Sequence, residues 1–394
     1  MSLSHSPEFT YWVGQPAVAI EPPDRQWKAG LPLDRLAAQH PPEQKNCGQA
    51  VITYGAYFST AREWLLQDNF AILRRAARHQ LGYDPPPKTF QNVRIHLIKH
   101  GAFYHPAKVT LMAGDGEEVC LVLNLAVSAE GRAALKDEVA NLVRLNQAYA
   151  ERWVPHIYGR RPDTGEKRPL AEMFAAQWLT GFYEFHLTRG PSWVLWDDQF
   201  GPRPLSDDQA ADIYEQAAYI LTHYYNPLTF EAVGRWHHAA GDFVVRQAEN
   251  KLDVRLISVR RYGPFLAPDN PSALSLESIL DGLCLFLVDM SLRMRLDRID
   301  GTGPAAVGPD ICLSAIWRGF KRGLDSICRQ HGLPVDFSQG VLDYLDAHTR
   351  QNLIGLGRHV LSRYPAEAQD TALLKDALED HVVALMETME QADP

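Results

Sequence analysis

The chain has 394 residues, 46% hydrophobic and 22% charged, enough apolar material for a large core and too much for wholesale disorder. A formal net charge of −9 argues against a broad nucleic-acid-binding surface. Five scattered cysteines, Cys47, Cys120, Cys284, Cys312 and Cys328, form no CxxC pair and read as reduced thiols, not as a zinc site.

The N-terminus lacks a basic region followed by an apolar run, so no secretory signal is expected, and no apolar stretch approaches the roughly twenty residues of a membrane span. A cytoplasmic protein without nucleic-acid or membrane partners is the expectation. Residues 1–45 are rich in proline and weakly periodic, and should wrap the surface. They open an N-terminal extension, 1–90, that contains one helix. In that helix Trp64, Leu65, Phe70, Ile72, Leu73 and Ala76 fall at helical spacings, and Gly82 followed by Pro85-Pro86-Pro87 stops it.

Strands are expected over Asn92–His100, Lys108–Met112 and Val119–Val127. Ser128 is placed to cap a helix whose body runs from Arg132 to about Asn146. A further strand, Ala171–Leu179, ends a strand-rich segment over 91–180. The rest, 181–394, reads as mainly helical, with short strands at Phe243–Arg246 and Val254–Val259. The class is α+β with a boundary near residue 180. Ser275–Leu296 is the clearest helix, and others are expected over Asp310–His331, Gln339–Tyr364 and Thr371–Met389. The charge-alternating run Arg293–Gly303 reads as a solvated helix end.

Three features carry chemistry. Glu138 shares a helix face with Leu135, Leu142 and Leu145, so it needs a cation or hydrogen-bond donors unless its carboxylate stays wet at the edge. Strand alternation puts Asn124 on a small-residue face with Cys120, Val122 and Ala126, as in a strand flooring a ligand cleft or one holding an asparagine bonded to backbone. The stretch Gly234-Arg-Trp-His-His-Ala-Ala-Gly-Asp-Phe-Val-Val-Arg246 sets two histidines and an aspartate ahead of an apolar run.

Hairpin, polar-centred strand, helix with inward glutamate, then Gly241-Asp242-Phe-Val-Val245: over roughly residues 90–360 this order resembles the protein-kinase-like superfamily, in the branch of aminoglycoside phosphotransferases and choline kinases. The resemblance implies a two-lobed fold, with a small antiparallel-sheet N-lobe and a larger mainly helical C-lobe, and ATP and Mg2+ as cofactors. The family's V-A-I-K strand carries a lysine that binds phosphates and pairs with the helix glutamate. Here the run is Leu121-Val-Leu-Asn124, so Asn124 replaces that lysine, and Lys108 on the preceding strand is the candidate partner of Glu138. The phosphate-covering loop, Lys99–His105, has one glycine where the protein-kinase branch has three. Gln177 and Trp178 fall on the hinge strand whose backbone would read an adenine edge.

Against the signature H-G-D-x-x-x-x-N, the preferred register puts Asp242 at the metal-holding position and His237 at the catalytic aspartate. A second register puts Asp242 on that aspartate and Gln247 on the asparagine. The second metal-binding aspartate is replaced by Ser258, and Arg255, Arg260 and Arg261 make the region basic, which suits an anion better than a metal cation. The resemblance implies a degenerate kinase-like protein that binds a nucleotide or another small anionic ligand, or serves as an interaction module. Its alternative is an active ATP-dependent small-molecule phosphotransferase. A metal-dependent hydrolase using His223, His237, His238 and Asp242 is a third reading, weakened by the absence of HExxH.

Overall fold

In the computed structural model, described over residues 6–32, 52–101, 103–114, 116–161, 172–188, 190, 192–197, 201–234, 236, 242–249, 251–266, 274–301, 303–365 and 368–392, the chain is mixed α+β. It divides into two units, Met1–Ala150 with Pro155–Thr180, and Glu151–Val154 with Gly181–Pro394.

In the first unit β1 (Glu8–Val13), β2 (Val18–Ile20) and the single helical turn α1 (Arg25–Lys28) precede the long helix α2 (Tyr54–Leu81). Then come β3 (Asn92–Leu97), β4 (His105–Ala113), β5 (Glu117–Ala126), α3 (Ala129–Ala148), β6 (Ile157–Arg161) and β7 (Glu172–Gln177). The strands form one sheet in the order β2-β1-β3-β4-β5-β7-β6. Every neighbouring pair is antiparallel except β1 and β3, which run parallel. Two expectations are therefore corrected: the sheet is mixed, not antiparallel, and residues 8–20 build two of its strands. The signal was present in Glu8-Phe-Thr-Tyr-Trp-Val13, which is rich in aromatic and β-branched residues.

Alternation decides the sheet's inner face. Val93, Ile95, Val109, Leu111, Leu121 and Leu123 point to one side and join Tyr57, Phe58, Leu65, Phe70 and Leu73 of α2 in one core. All six apolar positions expected on that helix are buried. The helix reverses locally, because Asp68, Asn69 and Phe70 take φ of 48°, 56° and 62°. Left-handed geometry costs roughly 1 kcal/mol or more per residue, and here it drives Phe70 into the core edge-on to Phe90. Gly82, at φ 80°, ends α2, and the Ser128 hydroxyl caps α3 by accepting from the Gly131 N–H at 2.9 Å.

The second unit holds β8 (Phe185–Leu187), β9 (Trp193–Asp197), β10 (Gly201–Pro204), α4 (Asp207–His223), β11 (Glu231–Gly234), β12 (Phe243–Ala248), β13 (Lys251–Leu256) and β14 (Arg261–Pro264). After these come α5 (Leu276–Met294), β15 (Leu296–Arg298), β16 (Ala305–Val307), α6 (Leu313–His331), α7 (Phe337–Asp346), α8 (Arg350–Leu361) and α9 (Gln369–Ala392). Among the described residues its strands form a three-stranded sheet, β10-β9-β8, and the pairs β11-β14, β12-β13 and β15-β16. That is more strand than expected. The single helix expected over 339–364 is two, because Thr349 turns the chain and caps α8 through the Asn352 N–H.

Helices α4 and α6 meet at a Gly-x-x-x-Gly stripe. A Cβ at Gly319 would collide with the Glu215 carbonyl, and one at Gly323 with the Thr222 side chain, so only glycine permits this approach. Helix α5 is buried on every side from Gly282 to Met294. The segment after it is not a solvated helix end. Arg293 is buried, Arg295 donates to the Gly308 carbonyl and pairs with Asp310, and Asp297 accepts from the Leu187 N–H at 2.7 Å.

Asp297 also contacts His186, whose Nδ1 lies 3.2 Å from its carboxylate while Nε2 lies 3.6 Å from Glu184. Burial works against the charged imidazole, but the two carboxylates prevail and push its pKa up to about 9. A pKa above the unfolded value gives stability that is complete below pH about 6.5 and lost as pH rises through 9, roughly 3 kcal/mol in all. The urea midpoint should therefore fall between pH 6.5 and 9.5, and His186→Gln should flatten that fall. An unchanged pH profile in the variant would refute the clamp. Gly319→Ala should cost about 1–3 kcal/mol in the same assay by forcing α4 and α6 apart, and an unshifted midpoint would disprove the close approach.

Candidate functional site

In the first unit, strand register brings several of the expected residues to one face. Lys108 stands opposite Val122, and Asn124 stands between Pro106 and Phe174, all on the side away from the core shared with α2. The Lys108 ammonium lies 5.5 Å from the centre of the Trp178 ring, a cation–π contact. Lys108, Asn124 and Trp178 thus share a surface. Gln177 is tied to His156. Its N–H donates to the His156 carbonyl at 2.8 Å, and its side-chain oxygen accepts from the His156 N–H at 3.4 Å.

Glu138 is 1% exposed, so the wet-edge reading fails. A donor comes from a residue that sequence reasoning missed: the Tyr104 hydroxyl donates to the Glu138 carboxylate at 2.5 Å. Lys108, the expected partner, is seated on Trp178 instead. Tyr104 also packs edge-on against Phe174 on the same sheet face. It belongs to the β3–β4 loop, whose described residues are tied down at several points. Gly101 donates to the Tyr104 carbonyl at 3.1 Å, Tyr57 donates to the His105 carbonyl at 3.1 Å, and the Nδ1 atoms of His100 and His105 stand 3.1 Å apart. Burial pulls the His100 pKa down, which keeps one of those rings neutral. The Phe103 carbonyl presses on the first turn of α3, where only Gly131 leaves room for it.

In the second unit the β12–β13 hairpin gathers the residues placed in the metal-holding register. Asp242 precedes β12 and Ser258 follows β13, and the Ile257 N–H donates to the Asp242 carbonyl at 2.8 Å. Asp242 is buried, and its counter-ion is Arg260, whose Nη1 lies 3.0 Å from Oδ1 and 3.3 Å from Oδ2. Ser258 is also buried, and its hydroxyl has no hydrogen-bond partner among the described residues. Gln247, the asparagine counterpart of the second register, lies along β12 opposite Leu252, five residues from Asp242.

A second ionic group stands beside this one. Arg293 of α5 stacks 4.6 Å from the Trp236 ring centre, donates to the Trp236 carbonyl, and donates to the Tyr364 hydroxyl at 2.8 Å. Tyr364 in turn donates to Asp289 at 2.7 Å. Burial pushes the Asp289 carboxyl above its usual range, with Arg293 and Tyr364 pulling it back. The signal for this cluster lay in the helix pattern. A helix apolar all round must pair its charges internally, and Asp289 and Arg293 are four residues apart.

His237, His238 and Gly241 lie outside the described residues. His223, the other histidine of the hydrolase reading, is buried on α4, with Nδ1 2.9 Å from the Ser326 hydroxyl and 2.8 Å from the Gln330 amide of α6. It is a helix–helix contact. Among the described residues no three His, Cys, Asp or Glu side chains are grouped to hold a metal ion. A magnesium ion prefers an octahedron of oxygens. At Asp242 it would meet a guanidinium at ion-pair distance and a serine where a carboxylate is wanted, so these residues do not fit it.

No protein-family model matches the chain, and no curated protein matches it. Among the described residues no helix is long and apolar enough to cross a membrane.

Tyr104→Phe removes a donor from a buried carboxylate while keeping the ring. It should destabilise the first unit by about 1–3 kcal/mol in urea denaturation. Glu138→Gln, which can keep a hydrogen bond to Tyr104 without a buried charge, should cost less. If Tyr104→Phe costs nothing, the hydroxyl is not what satisfies Glu138.

Proposed function

We propose that this chain is a degenerate kinase-like protein that binds a nucleotide or another phosphate-bearing anion and does not carry out metal-dependent phosphoryl transfer. Two patterns support the kinase-like part. The first unit has a hairpin, a strand centred on Asn124, a helix with inward Glu138, and then a strand leading to Trp178, joined in the sheet order β3-β4-β5-β7-β6. The second has Asp242 at the start of an apolar hairpin and Ser258 beyond it, followed by a buried helix. Each follows the order that the resemblance implies.

The observation that carries the loss of transfer is the Asp242–Arg260 pair. Phosphoryl-transfer sites of this kind rely on metal ions to bridge the phosphates and neutralise developing charge. Here the residue in the metal-holding register is already neutralised. Two further departures agree with it: Asn124 supplies no positive charge, and Glu138 is engaged by Tyr104.

The test is thermal stabilisation of the full chain by ATP, ADP and pyrophosphate, run beside an assay for ADP release with small alcohols and amines as acceptors. Stabilisation of a few degrees without turnover is expected, because a ligand that binds only the folded state raises the melting temperature. No stabilisation by any of these anions would sink the proposal. Turnover that disappears in Asp242→Ala would establish the active phosphotransferase in its place.

A further inference from the structure

Two imidazoles face each other across the β3–β4 loop, and the contact between them has room for one hydrogen. We propose that the His100–His105 pair is a proton-operated latch, which at neutral pH holds the loop closed with Tyr104 on Glu138, and which opens when both rings are protonated, taking the Tyr104 hydroxyl away from that carboxylate. The latch belongs to the first unit alone and does not depend on the kinase-like reading.

The geometry sets a limit on protons. Nδ1 of His100 lies 3.1 Å from Nδ1 of His105, so one of these atoms donates and the other accepts. Nε2 of His100 lies 3.1 Å from the Tyr54 hydroxyl, which can donate to it or accept from it. One extra proton on the pair is therefore tolerated, because the shared contact still holds a single hydrogen. A second is not. An imidazolium carries hydrogen on both nitrogens, so two of them would set N–H against N–H between like charges. The limit holds whatever else His105 touches.

The groups that face the pair work in the same direction. On α2 they are Tyr54, whose pKa burial raises so that it stays a phenol, and Tyr57, which donates to the His105 carbonyl and not to the ring. On β5 the residue opposite His105 is Leu125. His105 is fully buried, but His100 lines a groove of about 270 Å³ with Tyr54, Lys99, Gln15 and Gln26, through which water reaches the pair. Among the described residues that line this groove there is a lysine and no carboxylate. Burial pulls the His100 pKa below its ordinary 6.5, so the closed loop takes a proton less readily than the open one. Closure is then complete above pH about 6.5 and is lost as pH falls from there toward the lowered value.

The latch is coupled to Glu138 through the backbone. Tyr104 directly precedes His105, and its carbonyl accepts from the Gly101 N–H at 3.1 Å, closing the turn between the two histidines. A Cβ at Gly101 would lie 2.5 Å from that same carbonyl, so the closed turn requires glycine. Parting the rings moves Tyr104, whose hydroxyl meets Glu138 and whose ring packs on Phe174. Histidine pairs that lose a contact on protonation are a recurrent form of pH switch.

The test is hydrogen exchange of the ligand-free full chain, read by NMR at the Ile98 and Gly101 amides, which donate to the Pro106 and Tyr104 carbonyls. Protection factors, which divide out the intrinsic pH dependence of exchange, should be at least about tenfold lower at about pH 5 than at about pH 7.5, since each additional proton bound by the open form is worth tenfold per pH unit. Val109 and Leu121, in the β4–β5 pairing, should keep their protection. The Tyr104 ring signals should shift with the same midpoint. His100→Gln, which can bond His105 without titrating, should hold the Ile98 and Gly101 values within about threefold across that range. Gly101→Ala should leave both amides poorly protected at either pH; if it does not fold, wild type and His100→Gln decide. Unchanged protection in wild type, or an equal fall in His100→Gln, would overturn the latch. Loss at Val109 and Leu121 as well would overturn it in favour of acid unfolding of the whole unit, and Tyr104 signals that stay put would overturn the release of Glu138.

Discussion

A carboxylate withdrawn from water must find a cation or hydrogen-bond donors, and four buried carboxylates of this chain find them within it. Glu138 takes the Tyr104 hydroxyl, Asp242 takes Arg260, Asp289 takes Tyr364 and the field of Arg293, and Asp297 takes His186 with the Leu187 N–H. Each pairing also fixes a piece of backbone. Tyr104 pins the β3–β4 loop to α3, Arg260 closes the base of the β12–β13 hairpin, and Asp297 joins β15 to β8.

Helix α5 shows the constraint at its strongest. From Gly282 to Met294 no side of it faces water, so Asp289, Ser291 and Arg293 must all be answered inside. Ser291 meets His381 of α9 at 2.9 Å, while burial, together with the charge of Arg295, drives the His381 pKa down to about 3 and leaves the ring neutral. Arg293 meets Tyr364, beyond α8, and the Trp236 carbonyl. One helix thereby organises the packing of the second unit and the backbone next to the candidate site.

How much of this was legible in the sequence depended on whether the signal was local. The apolar stripe of α2, its Gly82 stop, the Ser128 cap and the β4–β5 hairpin follow from periods and caps that lie within a few residues of each other. That Glu138 faces inward was equally readable, because its neighbours at three and four residues are leucines. Its partner was not. Tyr104 lies 34 residues away, and nothing in its own neighbourhood distinguishes it from a loop tyrosine on the surface. The same holds for Arg260, which read as general basicity, and for Arg293, whose charge-rich surroundings imitated a solvated helix end while the helix before it was burying every face. The parallel pairing of β1 with β3 was hidden for a related reason. Its strand pattern was visible, but proline-rich flanks drew attention to surface wrapping, and register across about 80 residues has no local trace.

The Asp242–Arg260 pair also bounds what the site can do. In a surface-like dielectric an ion pair at 3 Å gives several kcal/mol of attraction before desolvation is counted, and Asp242 is almost wholly buried. A divalent cation would have to displace the guanidinium, leaving a second charge without its partner, and would gain only one carboxylate and a hydroxyl in return. The pair therefore serves the hairpin whose base it closes, and any metal-binding role for Asp242 would require breaking it.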